Sequence, residues 1–303
     1  MQTNGAPRIL IKEMGPRDGL QNESVTISTE QKCQFIDALA ETGLRYIECG
    51  AFVSPRWVPQ MADSDAVFAT LTRRPGVTYA ALAPNDKGLD RALAAGVDEI
   101  AVFAAASETF SQKNINCSIA ESLSRFAPMI KRASAARVPI RGYLSCVLGC
   151  PYEGDVEPER VAELSAELME MGCYEVSLGD TIGIGTPISA ARLYETVLQR
   201  VPSEHTALHF HDTYCRALAN LWVCIERGAR VIDSAVSGLG GCPYAAGASG
   251  NVATENVVDL LHRSGFDTGI DLTALLKVGD LVSQWLHKSS RTPVSMAYGR
   301  SCE

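Results

Sequence analysis

Eight times along the chain a short β-rich run gives way to a longer stretch of helical periodicity. That alternation restricts the fold more than any other feature, because repeated strand–helix units build parallel sheets covered by helices. Strands are expected at 8–14, 46–49, 78–82, 99–104, 140–145, 175–178, 207–211 and 231–236. Helices are expected from about 29, then near 62–72, 87–95, 119–136, 158–171, 187–199, 216–227 and 253–263. The punctuation agrees. Ser28 and Gln31 have capping-box spacing, Pro158 suits a first helical turn, and Gly43, Gly96, Gly172, Gly228 and Gly265 stand where helices end. Eight units match an α/β fold of the (β/α)8 TIM-barrel type better than a doubly wound sheet. The stretch from about 271 reads as extra C-terminal helices on a single catalytic domain spanning 1–303.

At 303 residues and 46% hydrophobic, the chain can bury a sizeable core. Its net charge of -8 argues against nucleic acid, whose binding needs a basic footprint. No apolar run reaches the ~20 residues that cross a bilayer, so no membrane association is expected. The N-terminal residues show neither a signal peptide nor a transit peptide. The ten cysteines include no C-x-x-C pair, and most lie in apolar segments. That pattern argues for reduced thiols, a cytoplasmic setting and no structural zinc.

In such a barrel the chemistry sits at the C-terminal strand ends, and the unexplained polar residues cluster there. His209 and His211 are two apart in Ala-Leu-His-Phe-His-Asp-Thr. A strand points residues i and i+2 the same way, so two imidazoles share a face and supply part of a metal site with room for substrate. The alternative is a pair of hydrogen-bonded core histidines. Asp18, after the first strand, is the preferred carboxylate ligand, since strands one, seven and eight are consecutive in a closed barrel. Asp212 is its rival, on the opposite side by parity. Arg17 offers a planar fork of donors for a carboxylate or oxyanion. Glu48 lies inside an apolar strand, where a carboxylate is costly unless paired, and Arg17 is the expected partner. The glycine-rich loop around Cys242 reads as a lid, and a thiol at its tip could move protons. A structural loop with a small side chain at that point is the plainer alternative.

Several motifs are long. They are Gly-Pro-Arg-Asp-Gly-Leu-Gln-Asn-Glu (15–23), Phe-Val-Ser-Pro-Arg-Trp-Val-Pro-Gln-Met (52–61) and Lys-Asn-Ile-Asn-Cys-Ser (113–118). Further along come Gly-Cys-Pro-Tyr-Glu-Gly (149–154), Ser-Leu-Gly-Asp-Thr-Ile-Gly (177–183), His-Phe-His-Asp-Thr-Tyr (209–214), Gly-Leu-Gly-Gly-Cys-Pro-Tyr-Ala (238–245) and Gly-Ala-Ser-Gly-Asn (247–251). In these the chain resembles the 3-hydroxy-3-methylglutaryl-CoA (HMG-CoA) lyase family. The resemblance implies metal-dependent cleavage of HMG-CoA to acetyl-CoA and acetoacetate, in leucine catabolism. It implies a divalent cation, Mg2+ or Mn2+, on Asp18, His209, His211 and Asn251. Arg17 would steady the enolate, Glu48 and Asp180 would be active-site carboxylates, and Cys242 the loop thiol. Substrate contacts are expected from Arg17, Gln21, Asn114, Arg141 and Cys150, on an acyl-CoA, in a homodimer for which the segment after 271 is a candidate partner surface.

Three positions depart from the family pattern: Ala51, Cys215-Arg216 and Ser237. They bear on the pocket wall and keep open a longer 3-hydroxy-3-isoprenylglutaryl-CoA as substrate. Claisen-type synthases of the isopropylmalate and homocitrate group share an Arg-Asp turn and an H-x-H strand, and form the other rival. A non-catalytic binding protein is disfavoured because every proposed ligand is present.

Overall fold

The computed structural model describes residues 6–242, 245–288 and 292–299, with the backbone alone at 242 and 245–249. Eight parallel strands close into a barrel in chain order: β1 Leu10–Glu13, β2 Tyr46–Ala51, β3 Thr78–Leu82, β4 Glu99–Ala105, β5 Ile140–Ser145, β6 Glu175–Asp180, β7 Thr206–Phe210 and β8 Val231–Ser234. Closure is made by β1 on β8, with Leu10 opposite Val231 and Lys12 opposite Asp233. The strands are buried along nearly their whole length, as expected of parallel strands covered by helices.

Local chemistry sets the helices. Ser28 and Gln31 form the reciprocal cap that starts helix Thr29–Glu41, and Ser118 with Glu121 does the same for Ile119–Ala135. Pro158 opens helix Pro158–Glu170. All five glycines expected at helix ends have positive φ. At Gly43 (φ +98°) a Cβ would lie 2.2 Å from the Gly269 carbonyl oxygen, so no side chain fits there.

Several element boundaries shift from expectation, β8 among them, which ends at Ser234 and not at Val236, and one helix is added. β1 starts at Leu10, because Arg8 makes only an isolated bridge to Asp267. β7 stops at Phe210, and His211 instead bridges Asn251. An unforeseen helix, Glu108–Ile115, follows β4, capped by the Ser107 hydroxyl accepting from Phe110 N. The C-terminal helices are present. Leu272–Trp285 buries Leu275, Val278 and Val282 and packs on helix Thr29–Glu41, and Pro293–Gly299 follows. The apolar face of Leu272–Trp285 is therefore used within the chain.

The barrel interior is not uniformly apolar. Lys12, Glu99, Arg141, Glu175 and Asp233 are all buried. Lys12 with Glu175 and Arg141 with Asp233 pair between non-adjacent strands, Arg141 with Glu175 between neighbours, and Glu99 accepts from the Tyr174 hydroxyl. Every cysteine whose side chain is described is a free thiol. Among the described residues no helix is long and apolar enough to cross a membrane.

Candidate active site

The chain leaves β1 in a tight π-helical turn, Gly15–Gly19, which carries Arg17 and Asp18 to the barrel mouth. Arg17 is buried and divides its guanidinium between two carboxylates. Nε donates to Glu48 Oε2 at 2.5 Å, and Nη1 donates to Asp18 Oδ1 at 2.8 Å. The pairing expected for Glu48 is thus made. Burial pushes the Glu48 carboxyl up and Arg17 pulls it back down, leaving it raised. Burial would also raise Asp18, but Arg17 and then the two histidines outweigh it and hold the carboxyl at about 2.

Asp18, His209 and His211 each offer a ligand atom within 4.8 Å of the other two. His209 Nε2 is 3.7 Å from Asp18 Oδ2. The imidazole rings are 5.5 Å apart, on one side of the strand end. Burial, with His209 adding to it, lowers His211 to about 4, so it is a neutral imidazole at neutral pH. A neutral imidazole and an ionised carboxylate are the forms that bind metals. His211 Nδ1 is buried with no hydrogen-bond partner among the described residues, as a nitrogen reserved for a ligand would be. Asn251 joins the set because its backbone bridges His211, and its Nδ2 donates to Asp18 Oδ2 at 2.8 Å. The residues fit a divalent cation. Asp212 turns instead toward the start of helix Ala217–Glu226, its Oδ1 accepting from Ala217 N.

Other expected site residues are placed differently. Arg141, expected against substrate, is fully buried one layer down. Its guanidinium binds Glu175, Tyr143 and Asp233, because residue 141 lies near the start of β5, below the mouth. Asp180, at the end of β6, turns into its own loop, where Oδ2 accepts from Gly185 N. Burial raises it to about 6 against these backbone donors. Cys150 is buried with its Sγ 2.9 Å from Ser107 Oγ, in a small cluster with Ala105, Phe110 and Cys146. Gln21 is half-buried just past the π turn, and Asn114 is exposed on helix Glu108–Ile115. The Cys242 backbone forms a short hairpin with Ala245–Ser249, while its side chain lies outside the described residues. Of the three departures, Ala51 is buried. Ser237 binds Glu255 and Gly279. Cys215 is exposed at φ +56°.

Two residues escaped the sequence reading. Glu13 ends β1 as a fully buried carboxylate. Its Oε1 accepts from Gly15 N and Val236 N, and its Oε2 from Thr254 Oγ1. It therefore ties together the Arg17–Asp18 turn, the start of the Cys242 loop and the helix after Asn251. Asp233 lies 3.1 Å from His209 Nδ1. The available signal was a charge inside each apolar strand, the argument that singled out Glu48.

A family model described as HMGL-like matches residues 8–282. A Pseudomonas aeruginosa protein named 3-hydroxy-3-isohexenylglutaryl-CoA/hydroxy-methylglutaryl-CoA lyase is 56% identical over 290 residues, 96% of this chain and 97% of that one. The chain belongs to the HMG-CoA lyase family. A crystal structure of the hydroxymethylglutaryl-CoA lyase from Pseudomonas aeruginosa superposes with a TM-score of 0.96 at 55% identity, covering 98% of this chain and 99% of that one. A family structure from Acinetobacter baumannii, in complex with coenzyme A and 3-methylmalate, gives 0.91 at 34% identity over 96% of this chain and 95% of that one. Among further members, a rat protein is named cytoplasmic and a chicken protein mitochondrial.

Proposed function

We propose that this chain is a metal-dependent HMG-CoA lyase, cleaving 3-hydroxy-3-methylglutaryl-CoA to acetyl-CoA and acetoacetate. The observation that carries the reading is the Arg17 fork set beside Asp18, His209 and His211 at a barrel mouth, in a chain alike to lyases over nearly its full length. The reaction removes a proton from a tertiary alcohol and breaks the adjacent carbon–carbon bond. The bond's electron pair enters a thioester enolate, which is then protonated on carbon.

Asp18, His209, His211 and Asn251 would hold the cation. When bound, a divalent ion supplies Lewis acidity that lowers the alcohol pKa and fixes the hydroxyl. The mixed oxygen and imidazole set suits Mg2+ or Mn2+. Arg17 would face the developing enolate oxygen as a fixed cation, held in line by Glu48. Cys242 would carry the proton transfer from its loop. Gln21 and Asn114, with the Cys150 loop, would orient the acyl-CoA. The Asp180 carboxyl would shape the β6 loop beside them.

The longer isoprenylated substrate remains as a second reading, supported by the double name of the Pseudomonas aeruginosa relative and by the exposed Cys215 in the loop after β7. We read the chain as one catalytic unit that works as a homodimer in a reducing, cytoplasmic setting, in leucine breakdown. The deciding experiment is acetoacetate release from HMG-CoA, with and without chelator, beside a long-chain homologue. Chelator-sensitive release is expected; no release from either substrate would overturn the reading.

A further inference from the structure

Asp233 is the third residue of β8, fully buried in a Val-Ile-Asp-Ser run. It is held from three sides. Arg141 binds it bidentately, Nη2 donating to Oδ1 at 2.7 Å and Nη1 to Oδ2 at 2.9 Å, and Ser177 Oγ donates to Oδ2 at 2.7 Å. Arg141 is fixed in turn, its Nε donating to Glu175 at 2.6 Å, and Lys12 donates to the same Glu175 oxygen at 2.8 Å. A carboxylate gripped by a guanidinium fork can accept hydrogen bonds only. The third group at Oδ2 is His209 Nδ1, at 3.1 Å. Nδ1 must therefore carry the imidazole proton, which leaves the lone pair on Nε2. That atom faces Asp18 Oδ2 at 3.7 Å, too far for a hydrogen bond between them, with His211 completing the group. Tyr143 packs against the His209 ring, centroids 5.8 Å apart with the two planes near-perpendicular.

We propose that Asp233 is a positioning residue that sets the tautomer and ring orientation of His209 so that Nε2 meets the cation, and that Arg141 acts through Asp233 and not on substrate. The proposal rests on the reading of Asp18, His209 and His211 as a cation site. Metal-bound histidines are commonly oriented by such partners, whose loss weakens the metal 10- to 100-fold.

Two measurements test it. In the metal-free wild-type protein, two-bond 1H–15N spectra of the histidine rings should show His209 protonated at Nδ1, and a proton on Nε2 overturns the proposal. This readout needs no variant to fold. Mn2+ affinity is then measured by electron paramagnetic resonance on wild type, Asp233→Asn, Arg141→Lys and Ser177→Ala, each first shown to be folded by circular dichroism. Mn2+ should bind about 10- to 100-fold more weakly to Asp233→Asn, with Arg141→Lys also weakened and Ser177→Ala least affected. A folded Asp233→Asn with wild-type Mn2+ affinity overturns the proposal. Wild type that binds no Mn2+ would instead refute the cation reading beneath it.

Discussion

Arg17 joins the two kinds of chemistry at the mouth, since one guanidinium touches both Asp18, a carboxylate of the candidate cation site, and the buried Glu48. A lysine keeps the charge but cannot reach both carboxylates with a planar fork. Arg17→Lys should therefore lower acetoacetate release by about 100-fold or more, the range seen when a preorganised oxyanion donor is lost. Near-normal turnover would remove Arg17 from that role. His211 makes a second prediction at the same scale. Its ordinary value of 6.5 falls to about 4 in the folded protein, through burial and then His209. Between these values the unfolded chain binds a proton that the folded chain does not. The histidine's contribution to stability is thus complete above pH 6.5 and lost as the pH falls toward 4. Melting temperatures of the metal-free protein should drop across that window, and His211→Gln should flatten the drop. A variant as steep as wild type would rule this source out.

At the scale of elements, the mouth is a set of loops whose relative placement depends on a few buried bonds. Glu13 holds three of them. In Glu13→Gln the remaining carbonyl oxygen can keep both backbone donors, and the amide can donate to the Thr254 hydroxyl, so a loss of about 1 kcal/mol is expected. Glu13→Ala leaves buried donors unmatched at about 1–3 kcal/mol each. It should lose roughly 3 kcal/mol or more and most of its turnover, as read from urea unfolding and the lyase assay. Equal stability of the two variants would argue that the clamp is dispensable. Among the described residues the two strands of the hairpin that bears Cys242 pair with each other and with no barrel strand, which suits an element that moves over substrate. Cys242→Ala should lose most turnover while Mn2+ affinity stays at the wild-type level. Unchanged turnover would strike the thiol from the mechanism.

For the molecule as a whole, a ligand that binds only the folded state stabilises it. Mn2+ at about 100 times its Kd would add about 2.7 kcal/mol and raise the melting temperature by several degrees. Absence of any shift at saturating Mn2+ would count against the cation site. The barrel was legible in the sequence because short β-rich runs alternate eight times with helical periodicity and several helices carry caps and terminal glycines. The His209–His211 pair and the Arg17–Glu48 bridge were legible from spacing and from the cost of a buried charge. The role of Arg141 was legible only in part: the expected strand 140–145 already sets it near the strand's start, but its fork on Asp233, 92 residues away, appears only when the barrel closes. The Glu13 clamp was hidden because two of its three partners, Val236 and Thr254, lie 223 and 241 residues away in sequence. The line of charge from Lys12 through Glu175 and Arg141 to Asp233 has a consequence for how such a protein can diversify. Each ion in this line is neutralised by the next, so none can be exchanged singly without stranding its neighbour. Among descendants of this chain, positions 12, 141, 175 and 233 should change together or stay as they are, and new acyl preferences should arise from the rim.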